Sequence, residues 1–84
     1  MTELLKEKDY LRTSDIALVT ALACCGYQIE AIERLGSKAH FLIKRDENLD
    51  NLIQQFWTQQ LKIEPMTYFN MLRQIKTRIY NIND

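Results

Sequence analysis

Between Tyr27 and Lys44 the apolar side chains leave helical spacing for alternation, and at Leu49 they return to it. A helix repeats every 3.6 residues and a strand every two, so one stretch cannot satisfy both patterns. The chain must therefore join a strand segment to helices on either side of it. Tyr27, Ile29 and Ala31 alternate with Gln28 and Glu30, and Ala39, Phe41 and Ile43 alternate with His40, Leu42 and Lys44. Leu35-Gly36-Ser37-Lys38 lies between the runs and supplies the glycine of a short turn, so residues 27–46 are expected to form a β-hairpin. The alternation slips near Ala31-Ile32, which predicts a bulge there. A lone hairpin is marginal in water, and its apolar face must lie on helices.

Those helices have clear signals. Thr13, Ser14 and Asp15 offer side chains that cap a first turn, and Gly26 suits the left-handed residue that closes a last one, predicting a helix over 15–25. Ile16, Val19 and Ala23 line one side of it while Leu18, Leu22 and Cys25 line another. A helix apolar over so much of its circumference is covered on more than one side, so it should be the centre of the core. Leu49, Leu52, Ile53, Phe56 and Trp57 have the spacing of an amphipathic helix over about residues 47–60. After a short connection at Leu61 to Glu64, Pro65 can open a last helix, where its missing N–H costs nothing. Tyr68, Leu72, Ile75 and Ile79 form the core seam of that helix, flanked by Met71 and Ile82.

The expected fold class is α+β: one small domain, helix–β-hairpin–helix–helix, with the helices on one face of the hairpin. The domain should occupy residues 13–84, preceded at residues 1–12 by a charged tail or frayed helix. With 84 residues there is room for one domain. Two glycines and one proline exclude a low-complexity chain. Eleven basic residues balance eleven acidic ones, so no general attraction to nucleic acid or anionic membrane follows from charge. The longest apolar run, Ile16 to Cys25, is too short to span a bilayer, which takes about 20 residues. The charged start lacks the pattern of a secretory signal. Cys24 and Cys25 are sequence neighbours and staple no loop. The expectation is a cytoplasmic protein with reduced thiols and no membrane contact.

Thr13-Ser14-Asp15-Ile16-Ala17-Leu18, the pair Gly26-Tyr27, the strand His40-Phe41-Leu42-Ile43 and the ending Lys76-Thr77-Arg78-Ile79-Tyr80 occur in that order. With these features the chain resembles a family of small bacterial and phage proteins catalogued only as a domain of unknown function. The resemblance covers about residues 13–80. It implies a polar-capped first helix, a hairpin and a basic-aromatic last helix, and it implies no catalytic residues.

Sites of chemistry are sparse in the sequence. Cys24, Cys25 and His40 are the only soft metal ligands, and adjacent helical residues point about 100° apart, which does not suit a shared tetrahedral centre. The cysteines read as small residues near a helix end. Ser14 and Ser37 read as a cap and a turn residue, and Glu30, Glu33, Asp46 and Glu47 as surface carboxylates. No nucleophile elbow or glycine-rich phosphate loop is present. The expectation is a non-enzyme with no cofactor and no metal.

The last helix holds the most informative pattern. At 100° steps, Phe69, Arg73, Lys76 and Tyr80 fall in one stripe beside the core seam. Cations interleaved with aromatics can anchor a protein interface or pair with phosphate while stacking on a base. The plainer reading is that Phe69 widens the buried face and the long cations lie over it. Trp57, at the margin of its helix's apolar face, reads as core or interface. A helix-turn-helix over 47–80 would present Pro65, Met66 and Thr67 to DNA, which are poor base readers. The expected function is a non-catalytic binding or assembly module working through a protein partner at Phe69, Arg73, Lys76 and Tyr80. A free hairpin edge would additionally serve to form a homodimer. The competing class is a nucleic-acid accessory protein that uses the stripe together with Arg78, Lys44 and Arg45.

Overall fold

A computed structural model describes residues 9–81. The element order is β1 (Tyr10–Thr13), α1 (Ile16–Cys24), β2 (Ile29–Leu35), β3 (Lys38–Lys44), α2 (Leu49–Trp57) and α3 (Pro65–Asn81). The fold is α+β. The hairpin forms as expected, β2 and β3 pairing antiparallel around Gly36, whose φ of 64° suits the first position of its tight loop. The bulge falls between Ile29 and Ala31, one step before the place where the alternation slips.

Residues 10–12 correct the expectation of a tail or frayed helix, the rest of which lies at residues 1–8, outside the described residues. Tyr10–Thr13 is a strand that pairs antiparallel with β3, with Leu11 opposite Ile43 and Thr13 opposite Phe41. The sheet therefore has three strands in the order β1-β3-β2. The physical reason is that β3 would otherwise keep an unpaired edge, while Leu11 gains a place against the core. The hairpin thus retains one outer edge, that of β2.

Asp15 lies just outside α1. Its carboxylate caps the helix by accepting from the Ala17 and Leu18 N–H groups at 3.0 and 3.2 Å. At the other end Gly26, at φ 103°, donates to the Ala23 carbonyl and Tyr27 donates to the Leu22 carbonyl. Those are the two bonds of a Schellman ending. α1 is central as expected: Leu18, Val19, Ala21 and Leu22 are buried, and so is Thr20, whose hydroxyl donates to the Ile16 carbonyl at 2.7 Å. The core joins them to Phe41 and Ile43 of β3, Leu49 of α2 and Ile75 of α3. The helices cover one face of the sheet, and the other face carries Arg12, His40, Leu42 and Glu33.

α2 is shorter than its apolar spacing implies. It stops at Trp57, and Gln59 takes a left-handed φ of 63°. Gln59 donates to the Phe56 carbonyl and Gln60 to that of Gln55, the same Schellman pattern without a glycine. Trp57, expected in the core or at an interface, is left exposed and stands edge-on to Phe56 with ring centroids 4.9 Å apart. α3 begins at Pro65 as expected. Glu64 caps it by accepting from the Thr67 N–H at 2.8 Å and from the Thr67 hydroxyl at 3.0 Å. Ile75 and Ile79 of the expected seam pack on the core, together with the flanking Met71 and not Leu72, and the Tyr68 hydroxyl donates to the Ala17 carbonyl at 3.3 Å. Ile82 lies outside the described residues.

Candidate functional site on the third helix

α3 packs on the core by one side only, so its opposite face meets water along its whole length. Phe69, Arg73, Lys76 and Tyr80 all lie on that face and are all exposed. Phe69 is half-exposed rather than widening the buried face, and Tyr80 is 72% exposed. The Arg73 guanidinium stands over the Phe69 ring, 5.5 Å from its centroid, a cation–π contact one helical turn long. Lys76 and Tyr80 continue the line. Tyr80 is about 16 Å from Phe69 along the axis at 1.5 Å per residue, so the two aromatic ends serve different neighbourhoods.

Phe69 looks onto an apolar groove of about 860 Å³. The early Schellman turn at the end of α2 creates it. By reversing the chain at Gln59, the turn sends Leu61 and Ile63 back alongside Phe56 and opens a gap between them and the first turns of α3. Met66 and Phe69 form the far wall, and Ala21 of α1 is small enough to leave depth beneath them. No charged side chain lines the groove. Met66 is 59% exposed, and Phe69 is 50% exposed, so the lip is as apolar as the walls. Gln59 itself borders the groove, and a non-glycine residue held at positive φ is a local strain of the kind found at ligand sites.

The groove was not foreseen from the sequence. Its signal was present in Leu61 and Ile63, apolar residues at a spacing of two inside a segment that otherwise reads as a connection. Apolar spacing places Phe56 and Tyr68 in the core, and both also border the groove.

The other cations are not gathered at the stripe. Arg45 is ion-paired with Asp50, and Arg12 with Glu33 at 2.7 Å. Lys44 alternates with buried Ile43 and so faces away from the helices. Arg78 borders a separate hollow beside Tyr27 and Gln28.

Several groups capable of chemistry are engaged in pairing or capping contacts or have pKa values shifted by burial. Burial raises the pKa of both thiols, and the neighbouring Cys25 raises that of Cys24 further. Burial, followed by its 2.6 Å hydrogen bond to Asp46, pushes the Tyr27 phenol up to about 12. The same bond holds the Asp46 carboxyl below its ordinary value. The N–H groups of Thr67 and Met66 hold Glu64 down in turn. Among the described residues no group of three His, Cys, Asp or Glu side chains is placed to hold a metal ion, and no helix is long and apolar enough to cross a membrane.

Residues 8–81 match the model of a family described as a domain of unknown function, DUF5659. No curated protein and no solved structure matches the chain.

Proposed function

The chain belongs to the DUF5659 family, and from that premise we propose that it is a small non-catalytic module that binds a protein partner through the α3 face. The observation that carries this reading is the apolar groove with Arg73 stacked on Phe69 at its lip. Its volume is within the about 300–1,000 Å³ usual for sites that enclose a ligand. An uncharged groove excludes the head of a charged ligand but takes aliphatic or aromatic side chains. Arg73 and Lys76, next to it along the stripe, complement a carboxylate. The partner chemistry is therefore a peptide segment with two or three apolar anchors followed by an acidic residue, docked as an amphipathic element in a groove. The raised thiol pKa values and the engaged carboxylates support a non-catalytic role. The free, adjacent cysteines support a reducing compartment, and we place the protein in the cytoplasm.

Selection of a displayed random-peptide library on the full chain tests the proposal. Selected peptides should carry the apolar-acidic pattern. Their binding should be lost with Phe69→Ala and Met66→Ala, and weakened with Arg73→Glu. Peptides that bind equally well to all three variants would refute the groove. A mixed-sequence DNA or RNA bound in a steeply salt-sensitive way, and released by replacing Arg73 and Lys76 with Ala, would favour the nucleic-acid reading instead.

A further inference from the structure

The hairpin closes through Gly36 and Ser37, with Leu35 opposite Lys38. One step further in, Arg34 lies opposite Ala39, and Ala39 packs against the core, so Arg34 stands on the helix-facing side of the sheet. A cation on that side is costly to desolvate unless an anion meets it. Among the described residues neither Arg34 nor Lys38 is in an ion pair, and the half-buried Arg34 makes only a long 3.5 Å bond to the Ile79 carbonyl. Both cations border a hollow of about 330 Å³ that also touches the start of α1 and Ile79 of α3. Ser14 and Ser37 border it as well, and none of its lining side chains is acidic. We propose that this hollow binds the phosphoryl group of a small phosphate monoester.

Charge and donor count select that ligand. A phosphate monoester carries a charge of about −1.5 to −2 at pH 7 and offers three acceptor oxygens. Arg34 and Lys38 supply two positive charges, and a guanidinium fork meets two of those oxygens at once. The Ser14 and Ser37 hydroxyls are further donors, and Ser14 has no capping role because Asp15 caps α1. A carboxylate has one charge and two oxygens, so it leaves part of this set unmatched. The nearest acidic residue in sequence to Ser14, Asp15, does not line the hollow, and its carboxylate is held by the Ala17 and Leu18 N–H groups. Ile16 and Ile79 give the hollow an apolar wall, which takes a short carbon body beside the phosphoryl group. The volume lies at the lower end of the about 300–1,000 Å³ usual for ligand sites, which limits that body to a small one. The hollow shares no lining residue with the α3 groove, so this site does not rest on the peptide reading.

Titration of the full chain with phenyl phosphate, followed by amide-resolved NMR, tests the assignment. Saturable shifts should centre on Ser14, Ile16, Ser37 and Lys38. Arg34→Gln and Lys38→Gln should each weaken binding by about tenfold or more, since each removes a charged hydrogen-bond donor. Lys62→Gln, at an exposed lysine outside the hollow, should leave it unchanged. Lys38 is exposed beside the turn, so its variant keeps the measurement decisive where Arg34→Gln disturbs packing. Binding should strengthen as pH rises through about 6, where the second phosphate proton leaves. Inorganic phosphate should bind more weakly, because it leaves the apolar wall uncovered. Benzoate bound as tightly as phenyl phosphate overturns the proposal. So do shifts that fail to saturate at millimolar concentration, or binding that Lys38→Gln leaves as it was.

Discussion

The guanidinium of Arg12 and the carboxylate of Glu33 meet at 2.7 Å over the middle of the sheet, tying β1 to β2 although the two strands are not hydrogen-bonded neighbours. Register explains how. Arg12 lies opposite Leu42 and Glu33 opposite His40, so both side chains rise on the open face and close across β3. The pair spans residues 21 positions apart, yet its side chains are 38% and 42% exposed, so water and salt weaken it. Arg12→Ala should lower unfolding stability by at most about 1 kcal/mol in urea titrations at low salt, and the difference should shrink at high salt.

The two Schellman endings predict opposite responses to opposite substitutions. Gly26 at φ 103° meets no atom that a Cβ would strike, so the cost of Gly26→Ala is backbone strain alone, about 1–2 kcal/mol. Gln59→Gly relieves the same strain at φ 63° and should stabilise by up to about 1 kcal/mol. Thermal unfolding of the two variants beside the parent checks both signs. A destabilised Gln59→Gly would mean that the Gln59 side chain contributes contacts outweighing the strain.

Burial separates two large side chains that the apolar spacing treats alike. Leu22 is wholly buried between the sheet and the helices, and Leu22→Ala should cost about 2–5 kcal/mol. Trp57 is 59% exposed, and Trp57→Ala should change stability by about 0.5 kcal/mol or less unless a partner covers it. As the sole tryptophan, Trp57 also reports binding, because it touches Phe56 at the groove wall. A peptide docked there should shift its fluorescence to the blue, and a peptide bound elsewhere should leave it unchanged.

The Tyr27–Asp46 bond closes the open end of the hairpin and makes stability depend on pH at both extremes. Asp46 and Glu64 have pKa values lowered by folding, so their contribution is complete above the ordinary carboxylate range and is lost as pH falls through the folded values. Tyr27 is raised from 10.0 to about 12, so its contribution is complete below pH 10.0 and is lost as pH climbs towards about 12. Melting temperatures measured across pH should show Tyr27→Phe flattening the alkaline fall. Some fall should remain, because burial also raises Tyr68. An unchanged alkaline limb would show that the bond does not form in solution.

Periodicity and local chemistry by themselves determined the three helices, the hairpin, the bulge near Ala31 and the place of α1 at the centre of the core. Capping carboxylates, Gly26, Gly36 and Pro65 act within a few residues of the chain they shape, so their effect is legible from order alone. Phe69, Arg73, Lys76 and Tyr80 could be placed on one stripe for the same reason, since a helix fixes angles between its own residues.

Tertiary structure alone decided what lay beyond that stripe and beyond the hairpin. Tyr10–Thr13 becomes a strand because β3, distant in sequence, offers an edge, and nothing in a four-residue segment announces that partner. α2 stops at Trp57 with Gln59 in a left-handed backbone that its side chain disfavours, and Leu61 and Ile63 then line the groove together with Phe56. Whether Phe69 was covered or open depended on how α2, the returning segment and α1 met around it. Packing between elements is a sum of many weak, non-directional contacts, and it leaves no periodic mark in the sequence that produces it.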